Sequence, residues 1–109
     1  MENARITALL QMLEEEPNDA FTIYALALEY AKTDTLKSME YFAQLLQKHP
    51  DYVSTYYQYG QLLWESNNQE LAMQILKKGM EVAAQQKDTH ALAELKSSLM
   101  NKEMGLEDE

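Results

Sequence analysis

The chain is predicted to be all-α, built of about six helices paired as antiparallel hairpins. Three observations predict this. The apolar positions Ile23, Leu26-Ala27 and Tyr30 recur as Tyr56, Tyr59-Gly60 and Leu63, an offset of 33 residues. Pro17 and Pro50 mark the same boundary at that same offset. The composition is poor in breakers, with three Gly and two Pro, and rich in the Ala, Leu and Met that favour helix over sheet.

Taken in order, the first helix is expected over 2–16. Ile6, Leu9, Leu10 and Leu13 are spaced as one face of a helix. Glu14, Glu15 and Glu16 oppose the macrodipole at its C-terminal end, so the last turn should stay in water. Pro17 stops it, and Asn18 or Asp19 caps the next helix. The segment 18–50 forms the first complete hairpin. Its first helix presents Ile23, Leu26, Ala27 and Tyr30, Thr33-Asp34-Thr35 turns the chain, and Ser38, Phe42 and Leu45 face back from the second helix.

The segment 51–86 repeats this pattern. Asp51 is placed to cap its first helix, and Asn67 with Glu70 three residues on has the form of a capping box for the second. Ala72, Leu76 and Gly79 are the facing positions of that second helix. The small residues sit where two helix backbones have to approach closely, and Gly60 and Ala72 are expected to be the close-approach positions of this hairpin. Asp88 caps a last helix over 88–103, whose Leu92, Leu95 and Leu99 make one apolar side with Glu94, Lys96 and Lys102 elsewhere. Gly105 terminates it, and 105–109 reads as an acidic tail. Residues 1–104 are expected to form one domain, since a chain of this length supports one core.

Tyr56, Tyr59-Gly60, Leu63, Ala72 and Leu76 resemble the tetratricopeptide repeat, in which an aromatic, a Leu-Gly pair, a Tyr, an Ala and a Phe recur at fixed spacing before a closing Pro. Gly79 stands at a third small position, and Ala84 where Pro is usual. On this resemblance 2–16 is the closing half of a repeat, 18–50 and 51–86 are two full repeats, and 88–103 is a capping helix with one greasy and one wet side. The resemblance implies a right-handed stack of hairpins and a non-catalytic role in binding other proteins. It also implies a concave groove, lined by the first helix of each pair, that receives a peptide or helix.

The apolar residues left over once the core is assigned fit that expectation. Tyr24, Leu28 and Ala31 form a stripe about 130° from the core face of their helix, and Tyr57, Gln61 and Trp64 form the same stripe one repeat later. If the resemblance carries over, Phe21, Tyr24, Leu28, Lys32, Tyr57, Gln61 and Trp64 are the contacts to a partner. Tyr and Trp suit such a surface by combining large area with a polar handle. The alternative is that the same stripe is the interface of a homodimer, or lies under the terminal helix. The family's clamp for an acidic C-terminus is not expected. Leu28 and Gln61 stand where it needs Asn, and Lys32 is the one groove base, with Glu65 in its place on the next repeat.

Composition narrows the remaining classes. Eighteen acidic against nine basic residues give a net charge of −9, which opposes nucleic acid or an anionic membrane and favours a basic protein partner. With no Cys there is neither a disulfide framework nor a thiolate metal site. No cofactor or metal is expected, because His49 and His90 are far apart and there is no phosphate loop or nucleophile elbow. The seven methionines read as core filling. The N-terminus does not resemble a secretory signal, and no run reaches the roughly 18 apolar residues of a membrane span. The expected location is the cytoplasm.

Overall fold

The computed structural model describes residues 3–105. The acidic stretch 106–109 and the expected helical start at Glu2 lie outside the described residues. Among those described there are six helices and no strand: α1 (Ala4–Glu15), α2 (Ala20–Tyr30), α3 (Thr35–Lys48), α4 (Ser54–Glu65), α5 (Gln69–Gln85) and α6 (Thr89–Glu103). They form two compact units, Met1–Tyr52 and Val53–Glu109.

In the N-terminal unit, α2 is apolar on nearly all sides because it lies between α1 and α3. Ile6 and Leu9 of α1 pack with Ala25, Leu26 and Tyr30, and Leu10, Leu13 and Tyr41 close over them. Tyr30 and Tyr41 stack with ring centres 5.7 Å apart and planes 7° from parallel. Against α3, the small residues meet through a polar contact: the Ser38 hydroxyl donates to the Ala27 carbonyl at 2.6 Å, fully buried. Phe42 and Leu45 fill the space below, each contributing about 1.5–3 kcal/mol by leaving water.

In the C-terminal unit, α5 packs on α4 and on α6. A methyl group at Gly60 would meet Leu76 Cδ2 at 2.8 Å and Cγ at 2.9 Å. The tightest place is elsewhere. A methyl at Gly79 would collide with Tyr56 Cβ, stand 2.9 Å from its Cγ and press on Leu95 Cδ1 at 3.2 Å. The close approach expected at Gly60 and Ala72 is present, the Ala72 carbonyl oxygen lying 3.6 Å from where a methyl on Gly60 would stand, and Gly79 is tighter still, against a side chain. The Tyr56 ring takes the volume beside Gly79, so only hydrogen fits there.

Local capping explains most helix starts. Asp19, Asp34 and Asp88 accept from the backbone N–H groups of Thr22, Lys37 and Ala91. Asn3 does the same for Ile6. Two expected caps are not formed. Helix α4 starts after Val53 with no side-chain cap, so Asp51 lies too far upstream. Asn67 is not a cap of α5 but the left-handed closing residue of α4, with φ 64°. Asn68 N–H then reaches Leu63 O at 2.9 Å and Asn67 N–H reaches Trp64 O at 3.2 Å, the paired bonds that satisfy a helix's last carbonyls. The end of α5 repeats this geometry: Lys87 has φ 58°, with Asp88 N–H on Ala83 O at 2.9 Å and Lys87 N–H on Ala84 O at 3.1 Å.

Candidate functional site

Phe21, Tyr24 and Leu28 of α2 and Lys32, in the turn just after it, are the exposed or half-buried positions of this segment that follow one another at helical spacing. Phe21 is 56% exposed, a large apolar ring in water. Tyr24 and Leu28 are half-buried. Tyr24 tilts against Tyr52, their ring centres 5.4 Å apart at 58°. Burial, with the nearby Asp19 charge, pushes the Tyr52 hydroxyl above its ordinary pKa. Lys32 turns toward its own helix, where its ammonium is 3.2 Å from Glu29 Oε2. Arg5 of α1 reaches the same oxygen through Nε at 2.9 Å. Burial alone would raise the Glu29 pKa, but the hydrogen bond and charge of Lys32, followed by those of Arg5, hold it below the usual carboxylate value.

On α4, Tyr57, Gln61 and Trp64 are half-buried. Here the structure adds a residue that the sequence reading placed on the wet side of the last helix. Lys102 is only 4% exposed. Its position follows from spacing, since 95, 99 and 102 advance by four and then three residues and so share one face. Its ammonium donates to Gln61 Oε1 at 2.8 Å and to Ser98 Oγ at 2.9 Å, and stands 5.5 Å from the centre of the Trp64 ring. Gln61 in turn donates through Nε2 to Glu65 at 2.9 Å, which fixes which way its amide faces. Lys102 thus brings Gln61 and Trp64 together, and α6 covers part of the stripe that α4 carries. Trp64 and Lys102 also line a cleft of about 600 Å³, shared with Met73, Gln74 and Lys77 of α5 and Glu103 of α6.

The other chemistry-bearing side chains have structural places. His49 hydrogen-bonds through Nε2 to the Asn18 carbonyl at 2.6 Å and, since a carbonyl only accepts, carries a proton there. His90 is exposed. Asp19 is held below its usual pKa by hydrogen bonds from the Thr22 hydroxyl and backbone N–H, with a smaller contribution from His49. Among the described residues no group of three or more His, Cys, Asp or Glu is placed to hold a metal ion, and no helix is long and apolar enough to cross a membrane. Thr55 Oγ1 is buried without a hydrogen-bond partner.

Comparison with known proteins agrees with this architecture. The model of a family described as tetratricopeptide repeat matches residues 30–99. The crystal structure of a tetratricopeptide repeat domain protein from Salinibacter ruber is similar at a TM-score of 0.76 and 36% identity, covering 82% of this chain and 100% of that one. A solution structure of a tetratricopeptide repeat domain protein from the same organism gives 0.77 and 36%, over 86% and 95% of the two chains. A protein from Bordetella parapertussis, at 21% identity, shares the fold with a TM-score of 0.79 over 98% of this chain and 95% of its own. No curated protein matches the chain.

Proposed function

Since the chain belongs to the tetratricopeptide repeat family, whose fold is generally a protein–protein interaction module, we propose that it is a non-catalytic adaptor of the cytoplasm. In this reading it holds a peptide or helix of a partner against the stripes Phe21, Tyr24, Leu28 on α2, continued by Lys32 just beyond it, and Tyr57, Gln61, Trp64 on α4. One observation carries the reading. Trp64 is a half-buried indole lining an open cleft, with the buried Lys102 ammonium 5.5 Å from its ring centre. A rigid aromatic of that kind presents large area at small entropic cost and is the residue type that anchors interfaces.

The test uses the single Trp. Proteins captured from the source cell by the wild-type chain, and not by Trp64→Ala, are identified and titrated individually. Binding on this stripe moves the Trp64 emission to shorter wavelength, and Trp64→Ala weakens the interaction by about 2 kcal/mol or more while helix content is kept. A partner that binds the variant at full strength puts the interaction on another face. Loss of folding in the variant instead assigns Trp64 to the packing of α6 on α4.

A further inference from the structure

The negative charge of the N-terminal unit is concentrated at the end where α2 begins. The turn at residues 16–19 joins the end of α1 to the start of α2, and the bond from His49 Nε2 to the Asn18 carbonyl brings the end of α3 to the same place. Five carboxylates gather there, those of Glu14, Glu15, Glu16, Asp19 and Asp51, against one lysine, Lys48. Toward the opposite end the signs balance, with Arg5, Lys32 and Lys37 set against Glu29, Asp34 and Glu40. Helix dipoles add to the difference, since α1 and α3 both bring negative C-terminal poles to the acidic end and only α2 brings a positive one.

These carboxylates are not used up inside the fold. Among the described residues Glu14, Glu15, Glu16 and Asp19 pair with no lysine or arginine. Thr22 occupies only one oxygen of Asp19, its hydroxyl at 2.6 Å and its N–H at 2.9 Å both falling on Oδ2, so Oδ1 can still accept. Within the same helical turn Phe21 holds its ring in water, and it shares a face with Tyr24, whose ring tilts against Tyr52. An apolar face with exposed carboxylates beside it matches one side-chain chemistry best. A planar guanidinium stacks on an aromatic ring and bonds a carboxylate through two parallel N–H groups. An acidic segment would meet repulsion here, and a neutral one would cover the carboxylates without pairing them.

We propose that the partner segment received by the α2 stripe is basic, with an arginine laid on the Phe21 ring and paired with Asp19 while further cations meet Glu14, Glu15 and Glu16. This rests on the reading of the stripe given above and adds the chemistry of its occupant. The net charge of −9 acts in the same sense, drawing a basic segment in from a distance before the local pairs form.

The test titrates the isotopically labelled full chain with a blocked Arg-Arg-Leu-Arg-Arg peptide, acetylated and amidated so that its side chains carry all its charge. Its control replaces each arginine by glutamine. The basic peptide should shift the amide signals of residues 19–24, bind about tenfold more tightly than the control, and weaken as salt is raised. Phe21→Ala, which leaves every charge in place, should weaken it about threefold. Glu14→Gln, Glu15→Gln and Glu16→Gln together should weaken it by a similar factor, with α1 kept because those charges oppose its dipole. Taking the same charge from the exposed Glu40, Glu81 and Glu94 should change binding by less than about twofold. Equal loss in the two triple variants, full binding by Phe21→Ala, or no shift of residues 19–24 at millimolar peptide overturns the proposal. Shifts of those residues with the chain's own concentration, before peptide is added, give the face to a second copy and overturn it too. Equal binding of the glutamine control at residues 19–24 sinks the basic occupant and leaves the stripe standing, whereas the stripe itself is judged by the partner binding of Trp64→Ala.

Discussion

The hairpins α2–α3 and α4–α5 occupy corresponding positions of one pattern, yet they divide their bulk differently. Where the first has Ile23 and Leu45, the second has Tyr56 and Gly79. All the volume has moved to one side of the seam, and Gly79 is left with no room for a methyl. Where the first has Ala27 and a hydrogen-bonding Ser38, the second has Gly60 and Ala72. Their turns differ as well. From Tyr30 to Ser38 is one residue shorter than from Leu63 to Ala72, and the extra residue is what allows Asn67 to take the left-handed conformation. The shorter turn instead gathers two N–H groups, of Thr33 and Asp34, on the single carbonyl of Tyr30 at 3.0 and 2.6 Å. A repeat thus conserves total volume and satisfied backbone, and individual side chains are free to trade as long as their partners trade too.

That exchange can be broken at either member of the third position. Leu45→Ala should produce the largest effect, a loss of about 2–5 kcal/mol, because a fully buried side chain is removed and the surroundings collapse only in part. Thermal or denaturant unfolding measures it, and a loss under about 1 kcal/mol would mean that the cavity refills. Gly79→Ala should cost about 1–3 kcal/mol by overpacking, since the obstacle is the stem of Tyr56, which cannot swing away without its backbone. An unchanged unfolding midpoint there would refute the trade of Leu45 for Tyr56. Ser38→Ala should cost only about 1 kcal/mol. The Ala27 carbonyl it abandons still accepts from Ala31 N–H at 3.0 Å, so nothing is left unpaired.

A pH experiment sharpens the contrast between the units, with the smallest effect. Glu29 and Asp19, whose carboxyls are held below their ordinary values, both belong to the N-terminal unit. A depressed carboxyl stabilises the fold fully above its unfolded pKa, near 4, and that contribution fades as pH drops through the lower folded value. Amide exchange in α1 and α2, followed as the solution is taken below about pH 4, should therefore show progressive loss of protection. Glu29→Gln should flatten that response, and a variant that kept the full wild-type acid sensitivity would remove Glu29 from the account.

How much of this was legible in the sequence depended on the distance over which each decision is made. Helix starts set by the next three residues were readable: Asp19, Asp34 and Asp88 cap where their spacing says they should. Asn67 was misread because the same residue type serves a helix end as readily as a helix start, and the deciding hydrogen bonds run back to Leu63 and Trp64. The apolar stripes of α2 and α4 were readable from period alone. The groups that define the candidate surfaces were not. Lys102 finds its acceptor 41 residues away in Gln61, and Arg5 finds Glu29 across two helices. A lysine on an apolar stripe reads as a solvent-facing exception until its partners are known, although the step from 95 to 99 to 102 already held the signal.

The placement of Lys102 over the indole has a magnetic consequence. Circulating π electrons shield nuclei held above the plane of an aromatic ring, so the methylene protons next to that ammonium should resonate well upfield of those of the chain's other lysines. The signal is built into the native sequence and requires no label on a partner. It should collapse toward the ordinary lysine position whenever the final turn of α6 lifts from α4, whether heat, acid or a bound peptide causes it to lift.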